Sequence, residues 1–258
     1  MNIRILLVFG LIVICACSST QKPGQSGHSH NDYYQERPFY SAYESYFASV
    51  EVDIWAVDGQ LFVAHDREEI EPGKTIENMY LLPINEVFRK NGGRAWSDID
   101  GKLQLLVDLK TSYSPALDIL VDKLSMYPEL FDHDTNPHAV SIVISGDMPS
   151  PELFHLYPSF IWFDGRMGIE YDESQIERVK LFSDHYRTVS TWDGYGEIPD
   201  KDRENILGYV QKARDKGKKA RLWAAPDHES AWKTLLELGV GYINTDYPER
   251  FAETMSSQ

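Results

Sequence analysis

Glu51 and Asp53 stand two residues apart in the run Val50-Glu51-Val52-Asp53-Ile54. Side chains two apart on a strand point to one face, so the two carboxylates share a face and Val50, Val52 and Ile54 take the other. Carboxylates turned together toward an interior repel unless a positive charge lies between them, and hard divalent cations prefer carboxylate oxygen. A solvated acidic face on a half-exposed strand is the alternative reading of this pair. Asp108 interrupts the apolar run Leu103-Gln104-Leu105-Leu106-Val107-Asp108-Leu109-Lys110. A charge in such a strand is costly unless it is paired or liganded. Asp108 therefore pairs with Lys110 on the same face or serves as a third metal ligand. His30 and His65 fall near strand ends beside this acidic set, and two imidazoles there suit general acid and general base work at neutral pH. By spacing alone, His28 and Asp32 compete with His30 for that role.

The elements that must position these residues alternate between short β-rich runs and longer amphipathic ones. The pattern predicts strands at Val50–Trp55, Gln60–His65, Leu103–Leu109, Ala139–Ser145, Phe160–Asp164, Arg187–Thr191, Ala220–Trp223 and Gly241–Thr245, with a short first strand near Gly27–His30. Helices are predicted over Pro38–Ala48, Pro83–Lys90, Ser114–Met126, Pro149–Leu156, Glu173–Phe182, Asp200–Lys216, His228–Leu238 and Pro248–Met255. Leu117, Leu120, Val121 and Leu124 form one helical face, and Gly217 and Gly239 suit the residue just past a helix end. Asp58-Gly59 is a hairpin signal, which pairs Gln60–His65 antiparallel with its predecessor. Removing that strand leaves eight parallel strands with helices between them, the count of a (β/α)8 TIM barrel; a doubly wound sheet has the same local signature. Barrel sites lie at the C-terminal ends of strands. Read that way, the strand ends offer His28 to Asp32, Glu51 and Asp53, His65-Asp66, Asp108 and Lys110, Asp164 and Arg166, Trp192 and Asp193, Trp223, and Asp246.

Taken in order, His-Asn, Glu-x-Asp, His-Asp and Asp-x-Lys form a far more specific set than any member alone. The set resembles the glycerophosphodiester phosphodiesterases and the wider superfamily of phosphatidylinositol-specific phospholipase-C-like barrels. The match is closest in Ser49-Val50-Glu51-Val52-Asp53-Ile54-Trp55, Asp58-Gly59 and Val63-Ala64-His65-Asp66. Gly241-Tyr242-Ile243-Asn244-Thr245-Asp246-Tyr247-Pro248 looks like the family's last strand, and Trp223 like the end of the one before it. The resemblance implies a TIM barrel phosphodiesterase with His30 and His65 as the acid–base pair. It implies one divalent ion, Mg²⁺ or Ca²⁺, held by Glu51, Asp53 and Asp108, with Asn31 at a position that ligates metal in the phospholipase C branch. Lys110, Arg166 and Trp223 become substrate contacts, Lys110 and Arg166 to phosphate, and Asp246 supports the barrel rim. Three features depart from the commonest pattern. His30-Asn31-Asp32 replaces His-Arg-Gly, Asp108 replaces Glu, and the stretch from His65 to Leu103 is short for the helical insertion that often holds the glycerol. These departures resemble the altered-inheritance-of-mitochondria type branch. They bear on the substrate more than on the reaction.

The N-terminus carries a different message. Arg4 precedes the apolar run Ile5–Ala16, which is too short for a bilayer span of about 20 residues. It fits an export signal. Ile14-Cys15-Ala16-Cys17 resembles a bacterial lipoprotein signal, with lipid carried on Cys17. The expected organisation is a signal peptide over 1–16, a lipidated tether over 17–27 and a single barrel domain over 28–258. An ordinary cleaved signal or an anchor helix is the alternative. Cys15 and Cys17 are the chain's 2 cysteines, so no disulfide staples the domain. The net charge of −15 argues against nucleic acid as a partner. An anionic substrate must then meet a local positive charge. The expected partners are a phosphodiester small molecule or lipid head group, and a membrane through the lipid anchor. The rival functions are a glycoside hydrolase, with Trp192, Tyr195 and Trp223 stacking sugars, and a ligand-binding lipoprotein without catalysis.

Overall fold

The computed structural model describes residues 22–257, so the signal peptide and Cys17 lie outside the described residues. Nine strands form one sheet: β1 (Gly27–Ser29), β2 (Ser49–Val57), β3 (Gln60–Val63), β4 (Gln104–Leu109), β5 (Ser141–Gly146), β6 (Ile161–Gly165), β7 (Val179–His185), β8 (Lys219–Trp223) and β9 (Ile243–Thr245). Their order is β8-β7-β6-β5-β4-β2-β1-β9. An isolated parallel bridge between Arg221 and Tyr242 brings β8 back toward β9 and nearly closes the barrel. β3 stands off this path and pairs antiparallel with β2. Asp58 (φ 48°) and Gly59 (φ 76°) both take the left-handed conformation that a tight two-residue hairpin requires.

Alternation along the strands sorts side chains between two compartments. Val50, Val52, Ile54, Leu105, Val107, Ile142 and Ile144 are buried in the main apolar core. Inside the barrel, Ala48, Leu106, Val143, Leu181 and Tyr242 form a small apolar plug with Trp162 against it. Above the plug the interior turns polar, with Glu51, Asp53, Asp164, Ser183 and Arg221 all buried. Parallel register sets Asp53 beside Asp108 on neighbouring strands. The pleat therefore carries the acids into one interior, at the strand ends where barrels build sites.

Around the seventh strand and before the first, the structure departs from expectation. Glu173–Arg178 is a helix, capped by Asp172 and Gln175, but it ends there and Val179–His185 is the seventh strand. Ile176, Val179 and Phe182 recur at helical spacing, whereas an alternating strand puts residues three apart on opposite faces, so the local pattern favours a helix through Phe182. The fold overrides it: the Arg178 guanidinium bonds the carbonyls of Phe154, Tyr157, Pro158 and Ile161, and Leu181 turns into the plug. The strand expected at Arg187–Thr191 is a helical turn at Tyr186–Thr188 followed by loop. Trp192 and Asp193 thus belong to a loop, and the true strand end is Asp184-His185. Pro23–Ser26 forms a helical turn and Gly27 opens β1, so the expected tether is already folded over its last residues.

Candidate active site

β1 carries two histidines with opposite fates. His28 points into the barrel and is fully buried. The Ser49 hydroxyl lies 2.7 Å from its Nδ1, and the Glu51 carboxylate lies 2.6 Å from its Nε2. Burial, with the Arg221 charge, pushes its pKa down to about 4, so it is neutral and serves as a strut under Glu51. His30 lies just past the strand end, its backbone N–H bonded to the Thr245 carbonyl at 3.1 Å. Its Nδ1 is 2.8 Å from Asp246 Oδ1. A carboxylate only accepts, so Nδ1 carries the hydrogen and Nε2 is left for chemistry. Burial lowers the His30 pKa, but the bond to Asp246 and the charges of Glu51 and Asp246 outweigh it and raise the value overall.

His65 repeats the arrangement from the other side. Its Nδ1 is 2.9 Å from Asp53 Oδ2. The loop that carries it is fixed locally: Asp66 and Glu69 cap the turn Arg67–Glu69, and Trp55 Nε1 donates to the Ala64 carbonyl at 3.2 Å. The histidine-aspartate dipeptide thus divides its work, with Asp66 holding the turn and His65 reaching the site.

The three acids meet as the strand register requires. Glu51, Asp53 and Asp108 each offer an oxygen, and these oxygens lie within 4.8 Å of one another. Asp53 Oδ2 is crowded: the Tyr33 hydroxyl donates to it at 2.8 Å, and Lys110 and His65 each lie 2.9 Å away. Asp108 Oδ2 pairs with Lys110 at 2.8 Å. The two sequence readings of Asp108 therefore coexist, because pairing with Lys110 leaves its other oxygen uncommitted. Asp53 Oδ1 and Asp108 Oδ1 are buried with no hydrogen-bond partner. Glu51 spends Oε2 on His28 and Arg221.

Orphaned buried carboxylate oxygens are costly unless something positive fills the space between them. Three hard oxygen donors this close fit a divalent cation. Asn31 lines the same cavity from the left-handed conformation (φ 44°, ψ 48°). Charge bookkeeping agrees, since three carboxylates face two fixed cations, Lys110 and Arg221, leaving one negative charge in excess. Burial opposes the charge on Glu51, yet Arg221 and His28 hold it well below the usual carboxylate range. Burial pushes Asp108 up, with Asp53 adding to the rise and Lys110 opposing it.

These residues open into one cavity of about 360 Å³, lined by His30, Asn31, Glu51, His65, Asp108, Lys110, Arg166 and Trp223. Asp53 is fully buried and is not part of that lining. Arg166 is tied to Asp164 at 2.7 Å and donates to Ser145 Oγ at 3.2 Å, so it reaches the cavity already anchored. Trp223 packs edge-on against His185, ring centroids 4.3 Å apart, at the cavity's outer edge.

Sequence reasoning missed four contributors. Arg221 lies two residues before Trp223, so alternation along the strand could have flagged it. Tyr33 follows the first histidine segment but bonds Asp53 only through the fold. Asp246 was expected at the rim and instead holds His30. Gly146 ends β5 with φ 71°, where an added Cβ would sit 2.0 Å from Asp108 Oδ1. No local signal marked Asp246 or Gly146 for these contacts.

Comparison with known proteins fits this geometry. The family model described as AIM6-like phosphodiesterase domain matches residues 20–155, and that of the glycerophosphoryl diester phosphodiesterase family matches residues 219–249. The protein named Altered inheritance of mitochondria protein 6 from Eremothecium gossypii is 26% identical over 267 residues, covering 85% of this chain and 66% of its own. Its namesake from Lachancea thermotolerans is 25% identical over 269 residues, covering 85% and 63%. The chain thus spans slightly less than two thirds of these relatives. Among solved structures, a glycerophosphodiester phosphodiesterase from Parabacteroides distasonis superposes with a TM-score of 0.53 at 16% identity, covering 90% of this chain and 95% of that one. One from Agrobacterium tumefaciens, described as a putative glycerophosphoryl diester phosphodiesterase, gives 0.50 at 14% identity, covering 90% and 97%. These structural likenesses establish the TIM barrel fold.

Proposed function

The chain belongs to the AIM6-like phosphodiesterase domain family, and on that premise we propose that it hydrolyses a phosphodiester, of glycerophosphodiester or phospholipid type, by two-histidine acid–base catalysis. The observation that carries this reading is the pair of histidines. Each is tied through Nδ1 to a carboxylate, and both line the cavity that Glu51 and Asp108 also line.

Glu51, Asp53 and Asp108, with Asn31 beside them, would hold one Mg²⁺ or Ca²⁺. That ion would neutralise phosphate charge and stabilise the crowded phosphorus of the transition state. The chain's own residues do the rest. Lys110 and Arg221 offset the carboxylates so that the site with a divalent ion carries a net charge near +1, matched to a monoanionic diester. Lys110 and Arg166 present cations to the phosphate oxygens. One histidine takes the proton from the attacking oxygen as it bonds to phosphorus. The other gives a proton to the leaving oxygen as its bond to phosphorus breaks. Asp246 and Asp53 fix the tautomers, so that each Nε2 is the working nitrogen. Ligand oxygens within 4.8 Å of one another suit shared ligation better than two carboxylates set across a sugar, typically about 5 to 10 Å apart.

The test is a panel of glyceryl, amino-alcohol and lipid phosphodiesters, assayed with Mg²⁺, Ca²⁺ and Mn²⁺ in turn and with chelator. Turnover that needs a metal and disappears in chelator is the expected result. Full activity in chelator would overturn the metal assignment, and no turnover of any diester would overturn the reaction. The sequence also supports export and anchoring through Cys17 at a membrane, from the basic start, the apolar run and the lipoprotein-like Ile14-Cys15-Ala16-Cys17.

A further inference from the structure

The floor of the barrel, at the opposite strand ends from the cavity, gathers positive charge in a molecule of net charge −15. Lys102 precedes β4, Lys180 is the second residue of β7, and Lys218 and Lys219 stand at the start of β8. None of the four forms an ion pair among the described residues, although the chain is rich in carboxylates. Lys180 Nζ lies 4.5 Å from the ring centre of Trp162, and Lys219 Nζ lies 4.1 Å from that of Tyr242. Both rings belong to the apolar plug region inside the barrel, so two ammonium groups rest on aromatic faces rather than on carboxylates. Trp162 Nε1 is buried and has no hydrogen-bond acceptor. Burial, reinforced by Lys102, Lys218 and Lys219, pushes the Lys180 pKa down to about 8. Glu177 acts on Lys218, and Asp132 and Asp134 act on His133, which also feels Lys180 and Lys102, but none of these acids forms an ion pair with the four lysines among the described residues.

Four ammonium groups gathered at one end of the barrel, without a carboxylate partner among the described residues, lack the same thing, an anionic oxygen ligand. Four ammonium groups suit a ligand carrying more than one negative charge, and lysine binds phosphate as a point charge without demanding planar geometry. We propose that the barrel floor is a second, non-catalytic site that binds a phosphate group through Lys180 and Lys219, assisted by Lys102 and Lys218. The phosphate belongs either to a free phosphate ion or to a phospholipid head group.

Binding can be read in the full chain with chelator present, which removes the metal-dependent cavity as a competing phosphate site. Inorganic phosphate is titrated at constant ionic strength while tryptophan emission is followed, and Trp162→Phe assigns the signal. A saturable change is expected in wild type. The double variant Lys180→Gln/Lys219→Gln should raise half-saturation at least tenfold, while metal-supported phosphodiester turnover stays at the wild-type rate. The variant Lys102→Gln/Lys218→Gln removes the two assisting lysines without touching either ring contact, and it should weaken binding severalfold. Vesicles of phosphatidylglycerol against phosphatidylcholine form the second arm. Sedimentation with the anionic vesicles alone, lost in the double variants and without a response to free phosphate, assigns the head group as the source. No response to either ligand, or a response that survives in both double variants, overturns the site.

Discussion

His28 and His30 lie two residues apart and each meets a carboxylate, but they differ in burial and in role. The first is buried, neutral and bonded to Ser49 and Glu51; the second is half-exposed and faces the cavity. For His28 the folded pKa of about 4 lies below the unfolded value near 6.5. Its contribution to stability is therefore fully present above pH 6.5 and falls as pH drops toward 4, because the unfolded chain takes up the proton first. Between about pH 6.5 and 4.5, before Glu51 titrates in the unfolded state, His28 should cost the fold up to ~1.4 kcal/mol per pH unit. Asp32, pushed up by burial to about 6, and His30, raised overall by Asp246 and Glu51, titrate in the same window with the opposite sign. The strut is therefore read as the difference in slope between wild type and His28→Gln in denaturant unfolding with chelator; equal slopes would refute it. His30→Ala and His65→Ala should each lose roughly 100- to 10,000-fold in turnover. The variant lacking the acid should recover much of its rate on a p-nitrophenyl diester, whose leaving group needs little protonation, and the variant lacking the base should not. Equal losses on both substrates for both variants would argue against separate acid and base roles.

At the scale of elements, β2, β4 and β5 act as one device. Register aligns Asp53 with Asp108, and the end of β5 brings Gly146 against the Asp108 carboxylate. Gly146→Ala would bring its Cβ to 2.0 Å from Asp108 Oδ1 and 2.4 Å from the Leu109 carbonyl oxygen, so the end of β4 must shift with Asp108 and the metal concentration needed for half-maximal activity should rise by at least tenfold. Strain at positive φ contributes too, roughly 1 kcal/mol, and Gly59→Ala is the control for it. Gly59 has φ 76°, but an added Cβ meets nothing within 4 Å. Metal activation curves should therefore shift for Gly146→Ala and stay in place for Gly59→Ala. A shared shift would mean that backbone strain, and not the contact with Asp108, governs the site.

At the scale of the whole molecule, the mouth of the barrel and its floor differ in chemistry. The mouth pairs nearly every cation with a carboxylate, whereas the floor leaves its lysines without one. Among the described residues no helix is long and apolar enough to cross a membrane, and the proposed lipid attachment at Cys17 lies outside them. Cys17→Ser should leave unprocessed precursor or mislocalised protein, read by lipid labelling and by partition into detergent. Release of the wild type as a soluble, lipid-free protein would end the lipoprotein reading.

The sequence by itself determined the parts that depend on local periodicity. A two-residue spacing on an apolar strand put Glu51 and Asp53 on one face, Asp58-Gly59 set the hairpin, and an acid amid aliphatic residues marked Asp108. It also separated eight parallel strands from the odd one, and seven of those eight lie within about two residues of where they were expected. Only the tertiary structure decided between Val179–His185 and Arg187–Thr191 as the seventh strand, because Ile176, Val179 and Phe182 recur at helical spacing and only packing sends Leu181 into the barrel interior. Only it could join Asp246 to His30 across a separation of 216 residues, or Arg221 to Glu51 across 170. Pairings at such distances are fixed by barrel closure, which lays the last strand beside the first, and no property of either segment alone encodes them.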